Sequence, residues 1–388
     1  MYVMAIYLVL SIYLMLKLAT KNKIPKTVDY VIAGFLCLLF LFRYNLGVDF
    51  NIYYGSFVDI TNPIGDALHF HMHRNVGFNL IIYLCKVLFG EYRYFVFVSN
   101  LILLLLCGYP IVKYSKDIVL SIAIFIGSGI LEVYYGSGLR QMYAMAFFFF
   151  AYYVFLQHKK YVWYEVMCLI GLSFHETILP VLFLPLLYQH IDWIRKNQLK
   201  VLMVGLIGAF AVLLFTSFVL PPFAQQILPT LPPFWHMLYY FAEANKISAI
   251  GLLMELVFLI VITGIYHFAQ KENDDFEYFG VIMIWLSVII YIAFCTHSIT
   301  SRVSDFLQII FLILIPNLID RIPKFQHKAL SLLVVLCLNG YLLQADLTFK
   351  INRMEETFHF GFSYLDYPYV TVFEKEKCDS YIEILLNE

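Results

Sequence analysis

Residues 201–220 read VLMVGLIGAFAVLLFTSFVL, a run without one charged side chain. A helical crossing of a bilayer takes about 20 mostly apolar residues, because the helix satisfies its own backbone N–H and C=O groups where no water can. The same character recurs at 101–107, 281–296 and 306–318. Across its 388 residues the chain is 62% hydrophobic, 18% aromatic and 14% charged, and its mean hydropathy is +0.78. Soluble domains carry about 25% charged residues. The pattern predicts an all-α polytopic integral membrane protein with about 12 transmembrane helices, in a range of about 11–13. A formal net charge of −1 gives no field for a nucleic acid, so no such partner is expected.

Spans are predicted near 2–18, 28–42, 94–112, 117–135, 140–156, 161–178, 178–190, 199–219, 247–269, 278–296, 303–319 and 328–347. Segment 178–190 is short and broken by Pro180 and Pro185, the mark of a kinked or re-entrant piece. Segment 76–90, VGFNLIIYLCKVLFG, is amphipathic and short, and is placed at the interface. The start, Met1 to Leu16, lacks a basic lead and a small-residue cleavage site, and reads as a first span rather than a signal. Of the seven cysteines all but Cys378 lie in apolar runs, with no paired spacing to suggest a disulfide framework.

Basic residues gather on the cytoplasmic side of short loops. Placing Lys17, Lys26, Lys113, Lys116, Lys159, Lys160, Arg195, Lys200, Arg321 and their neighbours inside collects the larger share of the 26 lysines and arginines. Both termini then face out. Residues 1–347 form a single transmembrane domain with large outer loops at 43–93 and 220–246, followed by an outer tail, 348–388.

With this orientation Arg43, Arg74, Arg93, Arg140 and Arg302 all fall on the outer side, against the usual bias. A planar guanidinium is well suited to gripping phosphate. Arg43 stands in FRYNLGVDFNIYYGSF (42–57) with Asp49, Tyr53 and Tyr54; Arg43 and Asp49 are either an interfacial ion pair or a phosphate ligand and a base. In YYGSGLRQMYA (134–144), Ser137 or Gly138 should cap a helix whose first turn holds Arg140 and Gln141. Free N–H groups and the helix dipole favour an anion there, which would account for an arginine the dipole itself disfavours. Snorkelling to the headgroups is the plainer explanation. In GLSFHETIL (171–179), His175 is a proton shuttle, a sugar ligand or a helix-to-helix structural bond. In HSITSRVSDF (297–306), Arg302 meets a ligand or its neighbour Asp305 at i, i+3. Convergence of Arg140 and Arg302 would be a sharper signal than either alone. Trp235 and Tyr239, in the aromatic loop 220–246, would stack on sugar rings or anchor at the headgroups.

His69, His71 and His73 alternate along one strand face, but no partner ligand stands at recognised spacing, so no metal is expected. No dinucleotide, P-loop or zinc-protease motif occurs. Ser128 and Ser137 only superficially resemble an intramembrane protease nucleophile, and an acyltransferase using His175 would leave the arginines without a role. A transporter of lipid-linked oligosaccharide would need ionisable groups near the midplane and internal repeats; Glu255 is the main residue of that kind.

The ordered set Arg43-Tyr44, Gly47, Asp49, Tyr53-Tyr54, then Gly138, Arg140-Gln141, Ala144, then Ser173-Phe174-His175, Thr177, then Ser301-Arg302, Asp305-Phe306 resembles the EpsG family. These are Wzy-type polysaccharide polymerases. The departure is at 73–79, HRNVGFN, where an acidic residue before a glycine would be expected. The resemblance implies a bacterial plasma (inner) membrane glycosyltransferase with its active site facing the periplasm or exterior, distantly similar in architecture to GT-C-like lipid-dependent enzymes. It implies undecaprenyl-pyrophosphate-linked repeat units as substrates, membrane lipid as surroundings, and a flippase and a chain-length regulator as partners. No cofactor is implied. The expected roles are Asp49 as base, Arg140 and Arg302 on the pyrophosphate, His175 as a reserve base or acceptor ligand, and Arg43, Gln141, Tyr53, Tyr54, Trp235 and Tyr239 as substrate contacts.

Overall fold

The computed structural model describes residues 2–21, 23–44, 50–65, 75–128, 130, 138–219, 249–269, 274–294, 299–358, 371–374 and 376. Among these the architecture is all-helical, with one isolated antiparallel bridge between Arg43 and Thr371. Among the described residues six helical segments are long and apolar enough to cross a membrane: Tyr92–Tyr114, Leu139–Leu156, Gln198–Ser217, Asp275–Phe294, Arg302–Asp320 and Phe325–Ala345. Shorter apolar helices accompany them, among them Val3–Ala19, Ile118–Gly127, Tyr161–Leu172 and Glu176–Gln189. The protein is an integral membrane protein by this measure. Helices Phe50–Asp59 and Val76–Phe89 occupy the first large loop.

Burial sorts the long helices into centre and rim. Of the most apolar window, 72% is buried in both Leu139–Leu156 and Arg302–Asp320, against 11% in Gln198–Ser217. The first two are surrounded by protein, and the third presents its aliphatic side chains outward, as a helix in contact with lipid does. Leu139–Leu156 and Arg302–Asp320 run parallel: Gln141 Nε2 donates to the Arg302 carbonyl at 2.9 Å and Tyr153 Oη to the Ile310 carbonyl at 2.6 Å.

Sequence boundaries shift where backbone detail takes over. The predicted span 303–319 is two helices, Ile299–Gln308 and Phe311–Asp320, broken at 309–310. Segment 161–178 ends as an α-helix at Leu172, and Glu176–Phe183 follows as a 3-10 turn that accommodates Pro180. The last helix runs Phe325–Phe358, past the expected edge at 347. Residues beyond the apolar run are still helix formers, so the helix does not stop where the hydrophobicity does.

Two ends of the bundle differ in chemistry. One carries Arg140, His175 and Arg302. At the other, Asn317 Nδ2 donates to the Tyr114 carbonyl at 3.1 Å, its Oδ1 accepts from the Lys116 N–H at 2.8 Å, and Tyr114 Oη lies 3.4 Å from His158 Nε2. Lys17 is held there between Asp29 at 2.8 Å and Asp117 at 2.9 Å, and Asp117 also caps Ile118–Gly127 by accepting from the Leu120 N–H.

Candidate active site

Helix Leu139–Ala151 starts at Gly138, which places Arg140 and Gln141 in its first turn. Helix Tyr161–Leu172 packs closely beside it because Gly171 has no side chain: a Cβ there would meet Ile178 Cδ1 at 2.6 Å and Phe147 Cβ at 3.2 Å. The chain then leaves the helix at 173–175 and delivers His175 and Glu176 next to Arg140. A third helix, Ile299–Gln308, brings Arg302, positioned by the Gln141 bond to its carbonyl. Both guanidiniums act electrostatically on His175. The two arginines, far apart in sequence, therefore converge.

The start of Val76–Phe89 closes the group. Asn75 Oδ1 accepts from Arg140 Nη1 at 3.2 Å, and the Asn75 side chain also bonds the Glu176 carboxylate. Gly77 allows the approach: its N–H donates to the Ser173 carbonyl at 2.9 Å, and a Cβ would collide with Ser173 Oγ and meet Phe174 Cε2 at 2.9 Å. Beneath lies an aromatic layer. Tyr53 meets Phe78 at 5.3 Å, Phe78 meets Tyr143 at 6.2 Å, and Tyr143 stacks on Phe174 at 4.8 Å. A small cleft is lined by Tyr53, Ser56, Asn75, Asn79 and Arg140.

His175 lies in the non-helical step between two apolar helices, and is 7% exposed. Burial, then Glu176, then Arg140 and Arg302 act on its ring. Nδ1 accepts from the Thr177 N–H at 3.3 Å and lies 2.8 Å from Thr177 Oγ1. A backbone N–H can only donate, so the proton of the neutral ring is assigned to Nε2. The ring therefore offers a donor, which suits an anion better than it suits the expected role of reserve base.

The remaining expected residues divide. Gln141 is buried and works through its bond to the Arg302 carbonyl. Tyr53 reaches the cleft, whereas Tyr54 packs edge-on against Tyr92 at 5.5 Å. Arg43 is buried where the end of Lys26–Leu41 meets the C-terminal segment: its carbonyl accepts from Asn100 at 2.8 Å, and the Val372 N–H donates to the Phe42 carbonyl at 2.8 Å. Arg93 pairs with Glu91 at 2.7 Å. Asp49, Trp235 and Tyr239 lie outside the described residues, as do Arg74, Ser137 and His69, His71 and His73. Among the described residues no group of three potential metal ligands occurs. Asn75 was missed by sequence reasoning, and Glu176 received no role in it.

Two guanidiniums, an imidazole donor and a buried amide above an aromatic floor can bind a multiply charged anion and stabilise charge that develops on it. The family model described as EpsG family matches residues 26–358. No curated protein and no solved structure matches the chain.

Proposed function

Since the chain belongs to the EpsG family, a Wzy-like polymerase family, we propose that it is a polysaccharide polymerase acting on lipid-linked repeat units at the outer face of the bacterial plasma membrane. The growing glycan, on undecaprenyl pyrophosphate, is the donor. A hydroxyl at the non-reducing end of a lipid-linked unit attacks the donor's anomeric carbon. The bond from that carbon to phosphate oxygen breaks, the new glycosidic C–O bond forms, the hydroxyl proton passes to a base, and lipid pyrophosphate leaves with the electron pair. Pyrophosphate leaves as a stabilised anion, so the step needs charge stabilisation at that site more than a general acid.

The observation that carries the reading is the convergence of Arg140 and Arg302, from separate helices, on the buried donor His175. Arg140 and Arg302 hold the pyrophosphate, and His175 donates to one of its oxygens. Gln141 and Asn75 position the two arginines. Asp49 is the base, Tyr53 and the aromatics Trp235 and Tyr239 meet the sugars, and Arg43 and Tyr54 support the segment that carries Asp49 and Tyr53. A flippase delivers the repeat units and a chain-length regulator acts beside the enzyme.

Replacing Arg140 by alanine and by lysine tests this in the native host. Both variants are expected to leave a single-repeat product at unchanged protein level, with Arg140→Lys retaining the charge but losing the two-pronged grip. Persistence of long chains in Arg140→Ala would remove this residue from the clamp. Failure of even the single repeat to reach the surface would favour a transporter.

A further inference from the structure

A cavity of about 370 Å³ opens at the end of the bundle opposite the arginines. It lies where Tyr2–Ala19, Tyr92–Tyr114 and Phe311–Asp320 end and where Lys26–Leu41, Ile118–Gly127 and Phe325–Phe358 begin. Its volume falls in the range of ligand sites, roughly 300–1,000 Å³.

The lining has two parts. Leu14, Leu18, Val112, Ile319 and Leu332 form an aliphatic wall. Lys17, Lys26, Lys116 and Lys328 supply positive charge, and Asp29, Asp117 and Asp320 negative charge. These charges are not equally available. Lys17 is fixed between Asp29 and Asp117, and Lys328 pairs with Asp320 at 3.3 Å. Lys26 and Lys116 are exposed on the lining and, among the described residues, have no carboxylate partner. Lys26 opens the helix Lys26–Leu41 and Lys116 lies between Tyr92–Tyr114 and Ile118–Gly127, so the fold and not a local charge run brings them to one opening.

We propose that this cavity binds an anionic phospholipid, with Lys26 and Lys116 on its phosphate and the aliphatic wall against its glycerol and first acyl carbons. The wall decides between two sources of phosphate. A free phosphate ion gains nothing from Leu18, Val112 or Leu332, whereas a lipid satisfies both halves of the lining and is present at high concentration where a bundle ends in a membrane. Basic pockets between helices on the lysine-rich side are suited to anionic headgroups. This site is independent of the polymerase reading.

The test uses the full-length protein purified in mild detergent, with its melting midpoint measured in phosphatidylglycerol, phosphatidylcholine or inorganic phosphate. Phosphatidylglycerol alone is expected to raise the midpoint by several degrees. The shift should vanish in the Lys26→Gln/Lys116→Gln double variant and survive in Lys26→Arg/Lys116→Arg. An equal shift with phosphatidylcholine, or one that persists in the glutamine variant, overturns the proposal. Inorganic phosphate reproducing the shift overturns the lipid source. If the double glutamine variant cannot be purified, phosphatidylglycerol retained by each single glutamine variant in native mass spectrometry decides: retention equal to that of the unaltered protein refutes the site.

Discussion

Asn75 holds the N-cap position of Val76–Phe89, where an asparagine ordinarily bonds the helix's own free N–H groups. No such cap bond forms here. The side chain turns instead to Arg140, 65 residues away in sequence, and to Glu176. One neutral amide thus links a guanidinium and a carboxylate that come from separate segments. Asn75→Ala should lower the polymerisation rate about 10- to 100-fold, from the loss of a hydrogen bond to a charged group worth about 1.5–3 kcal/mol. Pulse-labelled polymer measured at matched protein level checks this, and an unchanged rate would make Asn75 merely structural. Arg140, Gln141, His175 and Arg302 were legible in the sequence as polar groups at the edges of apolar runs. Asn75 was not singled out, because an asparagine before a helix gives no sign of which partner it will choose.

Helix starts and stops carry the site's geometry. Gly171 lets Tyr161–Leu172 approach Leu139–Ala151 so closely that the turn after it delivers His175 beside Arg140. Gly108, in Tyr92–Tyr114, has open space where a Cβ would stand. Gly171→Val should cost about 1–3 kcal/mol through overpacking against Ile178 and Phe147. Gly108→Ala should leave stability unchanged or slightly improved, since alanine is the better helix former. Thermal melts of the two variants in detergent make the comparison; equal melting midpoints would contradict the close-approach account. Most helices were readable as apolar runs bounded by lysines, prolines or glycines. The break at 309–310 and the continuation to Phe358 were not, because hydrophobicity reports burial in lipid or protein rather than where backbone hydrogen bonding ends.

For the molecule as a whole, the two bundle ends predict sidedness. Ile64 is exposed, and next to it the Pro63 carbonyl accepts from Asn79, a residue of the arginine-end cleft. Lys159 is exposed beside His158, at the lysine end. In a background without the seven native cysteines, Ile64→Cys should react with an impermeant maleimide in intact cells. Lys159→Cys should react only after the membrane is opened. The reverse pattern would put the arginine site in the cytoplasm and end the outer-face reading.

By itself the sequence determined the solvent. Long uncharged runs in a chain with 14% charged residues leave no soluble fold open, and the ordered arginine, histidine and glycine motifs pointed to the family. Composition and order along the chain are sufficient for both, because partition into a bilayer is a property of each segment separately. Tertiary structure decided which of the candidate residues meet. It joined Arg140, Arg302 and His175, added Asn75, and buried Arg43 against the C-terminal segment. Those outcomes depend on helix direction, close packing at glycines and the choice of hydrogen-bond partner. Each is a relation between segments distant in sequence, and no single segment contains it.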